Sequence, residues 1–349
     1  MSASAPGADR RAPSPNRSRR TRSALAVSAA LLLFFGALNV RSLVAGRAAW
    51  DVAPDAPSPI KTLIGAGAPA QAASRLDAQI LALQATLRDD GNNGRAATLL
   101  GDAYLQKARE TADPSYYPKA EQLFQHALAI DGQDFEAMVG LGTLALARHQ
   151  FADGLQWGEQ ARAIDPYHAP ALGVVADAQV ELGRYDEAVR TIQAMVDLRP
   201  DLASYTRVSY IRELLGDRAG ALAAMTEAAT AGAGSAENVA WTQAQLGNVR
   251  FDGGDLAGAA RAYDAALAAL PGYPYALAGQ AKIAAARGDL TSAADLYGQA
   301  VRAMPIPEFV IAYGDVLTAA GRTAEADRQY ALVAAIQQIY AANGVDVDL

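Results

Sequence analysis

The feature that most constrains the fold of this chain is a recurring segment of about 34 residues. Prolines mark its end: Pro166, Pro200, Pro271 and Pro305 are separated by 34, 71 and 34 residues. The longer interval accommodates one further unit with a few extra residues. Because proline lacks a backbone N–H and clashes with the preceding turn, each proline is expected where a helix stops. A regular period of this length predicts an array of similar structural units.

A second landmark lies inside each unit and predicts a helical hairpin. A glycine ends one helix, a polar pair forms the turn, and an alanine follows five residues after the glycine. The pairs are Gly183 with Ala188, Gly216 with Ala221, Gly254 with Ala259, Gly288 with Ala293, and Gly321 with Ala326. Four residues after each alanine comes a large side chain: Ile192, Met225, Tyr263, Tyr297 and Tyr330. The glycines suit a left-handed helix C-cap, and the small–large stripe would face the partner helix.

This pattern resembles the tetratricopeptide-repeat family, of a bacterial membrane-anchored or exported type. The resemblance implies an all-α, right-handed superhelical solenoid of about seven helical hairpins. The units are placed at about 94–134, 135–168, 169–201, 202–236, 240–273, 274–306 and 307–340. A leading helix, from about residue 73 to residue 89, is expected to cap the first unit because that unit has no preceding neighbour.

Three units depart from the pattern. In the second unit, Gly154 and Gly158 replace the expected alanine and aromatic residue, which predicts a weaker second helix. The first unit carries about seven extra residues, including Tyr116 and Tyr117, which either form a contact loop or pack across a longer hairpin; packing is favoured. The fourth unit is followed by a stretch rich in glycine and alanine at 231–236.

The N-terminal part of the chain predicts membrane attachment or export. Residues 1–23 are interpreted as a disordered basic cytoplasmic tail, 24–40 as a transmembrane signal anchor or a signal peptide, 41–72 as a flexible linker, and 73–349 as the solenoid. The uncharged apolar run at 24–40 follows six arginines, so the positive-inside rule places the repeats outside the cytoplasm. The long basic head favours a retained anchor, and secretion after cleavage is the alternative.

Charge and composition exclude several functional classes. The chain has a net charge of −7, but residues 1–50 carry eight arginines against one aspartate, so the remainder is strongly acidic. An acidic body lacks the basic stripe that nucleic-acid binding requires. The absence of cysteine excludes disulfides, thiolate metal sites and a cysteine nucleophile.

No motif in the sequence predicts catalysis. His126, His149 and His168 each lack a second ligand at helical spacing, so neither a metal site nor a cofactor is expected. Patterns typical of hydrolases, nucleotide-binding proteins and kinases are missing. We therefore expect a protein that binds a partner and is not an enzyme.

The family resemblance implies that the first helix of each hairpin lines a concave groove. The partner-binding residues predicted on that face are Asp102, Asp177, Tyr210, Glu213, Trp241, Asn248, Asp252, Lys282 and Asp315, with Thr143 at the same position of the second unit. Trp241 is either a binding hot spot or a contact between repeats. Since the predicted face is rich in carboxylates, a basic or neutral protein segment fits it better than an acidic peptide.

The sequence-based hypothesis is therefore a non-catalytic scaffold or adaptor that binds protein or peptide partners at the cell envelope. The predicted location is the cytoplasmic membrane, single-pass, with extracytoplasmic repeats; the secreted or periplasmic form stays open, as does a cytoplasmic array inserted the other way round. An alternative of another class is an accessory or truncated repeat region of a larger enzyme, such as a glycosyltransferase-like protein. The apolar last helix, at about 324–342, either caps the stack or indicates a shortened array.

Overall fold

The computed structural model describes residues 60, 63, 75–232 and 234–347. Within those ranges the chain forms fifteen helices. They are α1 (Arg75–Leu87), α2 (Gly94–Thr111), α3 (Tyr116–Ile130), α4 (Phe135–Ala147), α5 (Phe151–Ile164), α6 (Ala169–Glu181), α7 (Tyr185–Leu198), α8 (Leu202–Leu214), α9 (Arg218–Thr230), α10 (Ala236–Asp252), α11 (Leu256–Ala269), α12 (Pro274–Ala286), α13 (Leu290–Ala303), α14 (Pro307–Ala319) and α15 (Thr323–Ala342).

The helices form a stack of seven hairpins, from α2–α3 to α14–α15, preceded by α1. Consecutive helices pack on each other, and the first helices of successive hairpins also touch, as between α6 and α8 or α10 and α12. These first helices, called inner helices below, therefore share one side of the stack. The predicted all-α solenoid is confirmed.

The membrane part of the prediction cannot be followed in this structure. The tail at 1–23, the apolar run at 24–40 and all but two residues of the segment at 41–72 lie outside the described residues. No helix in the described ranges combines the length and apolar character that a bilayer crossing demands.

The inner helices begin at the predicted residues in six of the seven units. The exception is α10, which begins at Ala236, four residues before the predicted start at Ala240. The Ser235 side chain accepts a hydrogen bond from the backbone N–H of Asn238 and so caps the helix early. The stretch rich in glycine and alanine thus ends in a capping residue that extends the inner helix.

The hairpin turns of the third to seventh units follow the predicted chemistry, whereas Ala112 and His149 take the left-handed position in the first two units. The turn glycines have positive φ angles, for example +73° at Gly183 and +84° at Gly254. In the second unit, His149 occupies the corresponding position with φ of 62°. This left-handed conformation is uncommon for a residue with a side chain, and surrounding contacts must hold it there.

The second helix of the second unit, which the sequence predicts to be weaker, is α5. Helix α5 is continuous over fourteen residues despite its two glycines. A Cβ atom at Gly154 would lie 2.7 Å from Leu146 Cγ, and one at Gly158 would lie 2.9 Å from Val175 Cγ2. The glycines therefore permit close helix packing, and this contact compensates for their low helix propensity.

The insertion in the first unit lengthens its inner helix. Helix α2 has 18 residues against 13 in α4, and its C-cap residue, Ala112, has a left-handed conformation. Tyr116 opens α3 and is buried, with its ring centroid 5.6 Å from that of Tyr104. The structure therefore agrees with the packing interpretation of this tyrosine. The extra turn of α2 also makes the first hairpin reach further than its neighbours.

Two sets of long-range contacts join the first two units to later parts of the chain. In the first, the Arg109 guanidinium at the end of α2 forms a two-point ion pair with Glu237 in the first turn of α10. In the second, Arg148 Nε in the turn of the second unit donates to the carbonyl of Asn343, and the N–H of Asp346 donates to the carbonyl of Arg148 at 2.9 Å. The first two units therefore meet the fifth unit and the segment after α15.

Candidate binding groove

The predicted groove residues lie on the inner helices, so the repeat register brings them to one side of the stack. Asp102, Thr143, Asp177, Tyr210, Asn248, Lys282 and Asp315 occur once per inner helix, from α2 to α14. Their environments differ strongly from unit to unit. Some are exposed to a partner, and others are used by the solenoid for its own packing.

Asp177 is a packing residue as well as a predicted groove residue. Both of its carboxylate oxygens accept hydrogen bonds at 3.0 Å from Nε of Arg207, which lies on the next inner helix. The two side chains are 7% and 6% exposed. Burial raises the pKa of Asp177, and the Arg207 charge opposes that shift. This ion pair ties the third unit to the fourth.

The two aromatic residues predicted to line the groove, Trp241 and Tyr210, differ in their exposure. Trp241 is only 5% exposed and belongs to an apolar cluster with Tyr263 and Ile283, so it has the environment of a contact between repeats. Tyr210 is half-buried and keeps part of its ring accessible. Burial raises its pKa, and the neighbouring charge of Glu181 adds to the shift. Tyr210 is therefore the better placed of the two for contact with a ligand.

An acidic strip runs along the hairpin edge of the groove and consists of Glu181, Glu213 and Asp252. These residues stand at or next to the C-terminal ends of α6, α8 and α10. Burial raises the pKa of Glu181 to about 7, with a contribution from Asp177. For Glu213, burial and then the charge of Asp252 raise the pKa.

The position of the acidic strip is electrostatically unfavourable for the isolated chain. A helix C-terminus carries partial negative charge, so carboxylates there gain nothing from the helix dipole. Partial desolvation raises the pKa of Asp252, and only Lys282 and Arg218 oppose that shift. A cationic group bound along this strip would relieve the repulsion.

A second acidic group lies near the start of the stack. Burial raises the pKa of Asp102 to about 8, and the charges of Glu136 and Asp134 on the next inner helix and its cap add to the shift. The Asp102 side chain is half-buried and Glu136 is exposed. Asp134 also accepts a hydrogen bond from Thr98 at 2.9 Å, which links the first two inner helices.

The remaining predicted residues act mainly inside the solenoid. Asn248 accepts a hydrogen bond at 2.8 Å from the hydroxyl of Tyr263, and Asp315 accepts one at the same distance from Tyr330. Each tyrosine lies on the second, outer helix of the hairpin that contains its partner: Tyr263 on α11 and Tyr330 on α15. These contacts join the two helices of a unit, so neither side chain is wholly available to a partner.

The three histidines make separate contacts in different parts of the stack. The ring of His126 makes a 2.6 Å contact with the carbonyl oxygen of Gly91, and the ring of His149 makes a 2.7 Å contact with that of Asp346. His168 packs edge-on against Phe135. In the part of the chain that the structure describes, no group of three or more histidine and acidic side chains is arranged to hold a metal ion.

Sequence reasoning missed Glu181, Arg207 and the Arg109–Glu237 pair. A signal for Glu181 exists, since it lies one helical turn after Asp177 on the same inner helix. Arg207 lies three residues, about one helical turn, before Tyr210 on the same inner helix. Nothing local points to the pairing of Arg109 with Glu237, which are 128 residues apart.

Comparisons with known proteins agree with this geometry. Residues 145–208 and 245–305 match two family models described as tetratricopeptide repeat. No curated protein matches the sequence. The two matched stretches include units on both sides of the irregular region between α9 and α10.

Two solved structures are similar in fold. The APC/C hetero-tetramer Cut9–Hcn1 superposes with a TM-score of 0.57 at 14% identity, over 78% of this chain and 52% of that chain. This chain therefore spans about half the length of that relative. A tetratricopeptide repeat protein from Parabacteroides merdae ATCC 43184 superposes with a TM-score of 0.52 at 14% identity, over 70% of this chain and 91% of that chain.

Arrays of this kind present extended concave surfaces that bind proteins, and the fold is typical of non-catalytic interaction scaffolds. The hairpin stack and the two family matches together show that this chain contains tetratricopeptide repeats.

Proposed function

We propose that this protein is a non-catalytic scaffold or adaptor that binds a basic segment of a protein partner along the acidic strip. The observation that supports it is the row of three carboxylates at the C-terminal ends of three successive inner helices. Glu181 and Glu213 are half-buried and Asp252 is exposed, so all three can be reached from solvent. The charge of Asp252 acts unfavourably on Glu213, and that of Asp177 on Glu181, which favours a cationic ligand over a neutral one.

Tyr210 supplies the second element of the proposed site. The charges of Glu181 and Glu213 both raise the pKa of its hydroxyl, so both carboxylates lie within electrostatic reach of Tyr210. An aromatic face next to carboxylates suits a lysine or arginine side chain, because the cation can contact the ring and pair with an acid. A partner segment with basic residues at regular spacing would then contact several units at once.

A charge-matched comparison tests the proposed strip. The probe is a fluorescent ten-residue peptide with five lysines, measured against a peptide with glutamine in place of each lysine. The double variant Glu181→Gln and Glu213→Gln should bind the lysine peptide about tenfold more weakly, since each exposed charge pair contributes about 0.5–1 kcal/mol. Added salt should weaken binding to the unmodified protein.

The control removes the same charge from the outer helices, through Glu227→Gln and Asp197→Asn, both at exposed positions. Affinity should change less than about twofold in that variant. If both double variants lose affinity equally, binding depends on net charge alone and the strip is not the site. Equal binding of the lysine and glutamine peptides would also contradict the proposal.

We also propose that the repeats act at the cell envelope, outside the cytoplasmic membrane. The support is the uncharged apolar run at 24–40, preceded by arginines. Topology reporters fused after residue 72 and at residue 349 should be active outside the cytoplasm and silent inside it. A cytoplasmic signal from both fusions would contradict this location.

A further inference from the structure

The inner surface of the sixth and seventh units is covered by other parts of the chain. Tyr275, Ala278 and Lys282 follow one another at helical spacing on α12, along the face predicted to line the groove. Ala278 is nevertheless only 2% exposed. It belongs to an apolar cluster that is built mainly from α12 to α15. This position of the predicted groove is therefore closed to solvent.

The cluster contains two residues from far away in the sequence. Ile60 is one of its buried members and Ala112, at the tip of the first hairpin, packs against it. Ile60 is 1% exposed, whereas Leu63 of the same segment is 44% exposed. The side chain of Ile60 is thus taken out of water within this cluster, whereas that of Leu63 is not.

The covered face has the chemistry of a pocket for an aliphatic anchor. Leu277, Ala281, Phe309 and Val310 are buried members of the same cluster as Ile60. Burial of one branched aliphatic side chain in such a surface is a sizeable stabilising contribution for a short segment. Ile60 precedes α1 in the sequence, so this side chain joins the sixth and seventh units from the opposite end of the chain.

We infer that the inner face of the sixth and seventh units is a docking site for a segment with an aliphatic anchor residue, and that the chain's own Ile60 occupies it as an intramolecular ligand. An external segment of the same chemistry binds only by displacing Ile60. The site is distinct from the acidic strip, which lies at the hairpin edge of the third to fifth units. Loss of one site therefore does not imply loss of the other.

Intramolecular occupation sets the expected size of the effect. A tethered ligand has an effective concentration in the roughly millimolar range. A free peptide with the sequence of residues 54–68 should therefore bind the intact chain at least about tenfold more weakly than a chain whose own anchor has been removed. This peptide has one aspartate and one lysine, so it carries no net charge for the acidic strip to attract.

The experiment uses the full-length chain and a fluorescent form of this peptide. Ile60→Asp should empty the docking site, and the peptide should then bind with at least about tenfold higher affinity than to the unmodified chain. Leu63→Asp is the matched control, because Leu63 lies largely in solvent, and its peptide affinity should equal that of the unmodified chain. A peptide carrying aspartate at the position of Ile60 should not bind the emptied chain.

Circular dichroism and thermal unfolding establish that the variants remain folded. Ile60→Ala is a milder variant, which should give an intermediate gain in peptide affinity if the first variant does not fold. Equal peptide affinity for the unmodified chain and a folded Ile60 variant would overturn the inference, as would a folded variant that binds no peptide. Binding of the lysine peptide should stay unchanged in Ile60→Asp, which separates this result from the proposed function.

Discussion

The acidic strip and the covered face occupy the same side of one repeat array but differ in chemistry and accessibility. The strip, on the third to fifth units, presents carboxylates to solvent at the ends of inner helices. The covered face, on the sixth and seventh units, is apolar and lies beneath Ile60 and the tip of the first hairpin. A single repeat pattern therefore supports two surfaces, because the residues at groove positions differ from unit to unit.

The two regions also differ in how neighbouring inner helices are joined. Between the third and fourth units, the Arg207 guanidinium lies over Gly173, where a Cβ atom would be 3.1 Å from Arg207 Cζ, and pairs with Asp177. Between the fifth and sixth units, the ring of Tyr263 lies against Gly247 and Gly279. One junction uses a buried ion pair, and the other uses a ring packed on backbone.

The largest effect is expected from breaking the buried ion pair. Asp177→Ala leaves the Arg207 guanidinium buried without its carboxylate, which should lower the free energy of unfolding by about 3–5 kcal/mol. Urea unfolding measures this loss. Glu159→Ala removes a surface partner of Arg162 on an outer helix and should cost less than about 1 kcal/mol. Equal losses in the two variants would contradict the distinction between buried and surface pairs.

A smaller loss is expected at the contact that closes the solenoid. Arg109 and Glu237 are 15% and 16% exposed, so Glu237→Ala should cost about 2 kcal/mol, between the values for buried and surface pairs. The first hairpin would then separate from the fifth unit. Small-angle X-ray scattering should show a larger radius of gyration, and an unchanged radius would show that other contacts alone keep the solenoid closed.

The ring-on-backbone junction should be sensitive to a single methyl group. A Cβ atom at Gly279 would lie 2.3 Å from Tyr263 Cε1, so Gly279→Ala should cost about 1–2 kcal/mol through overpacking. Gly132→Ala is the matched control, since its Cβ atom would meet only a carbonyl oxygen at 4.0 Å. The control should be neutral or slightly stabilising. Thermal unfolding of both variants makes the comparison.

The smallest effect is expected from pH. Because the folded state raises the pKa of Asp102 to about 8, it holds a proton that the unfolded chain releases near pH 4. The group therefore stabilises the fold fully below pH 4, and this contribution is lost as the pH rises toward 8. Asp102→Asn should reduce the loss of unfolding free energy between low and high pH by about 1 kcal/mol. The effect is small because solvent partly screens the half-buried side chain. Unfolding at pH 4.5 and pH 8.5 measures it, and identical pH slopes in both proteins would contradict the assignment.

Local features of the fold were predictable because their causes lie within one repeat. The turn glycines, the buried alanines five residues later and the prolines at unit ends act over fewer than ten residues each. They predicted six of the seven inner-helix starts, and the exception at Ala236 depends on the Ser235 cap. The start of the last helix was likewise predicted within one residue, at Thr323.

The candidate site was predictable only in part. The repeat register identified the inner-helix positions, so Glu213 and Asp252 of the acidic strip were found. It did not distinguish an exposed groove residue from a packed one. Trp241 and Asp177 occupy groove positions, yet the first lies in an apolar cluster and the second pairs with Arg207. That outcome depends on the side chain offered by the neighbouring unit 30 residues away.

By itself, the sequence determined that this chain is a stack of helical hairpins with an acidic inner edge. The period, the turn residues and the charges can each be identified from residues within one repeat. Only the tertiary structure decided which groove is open. The small rotation between successive units accumulates around the solenoid until α2 meets α10 and residue 148 meets the segment after α15. The burial of Ile60 against the sixth and seventh units likewise depends on that accumulated curvature, which no single repeat specifies.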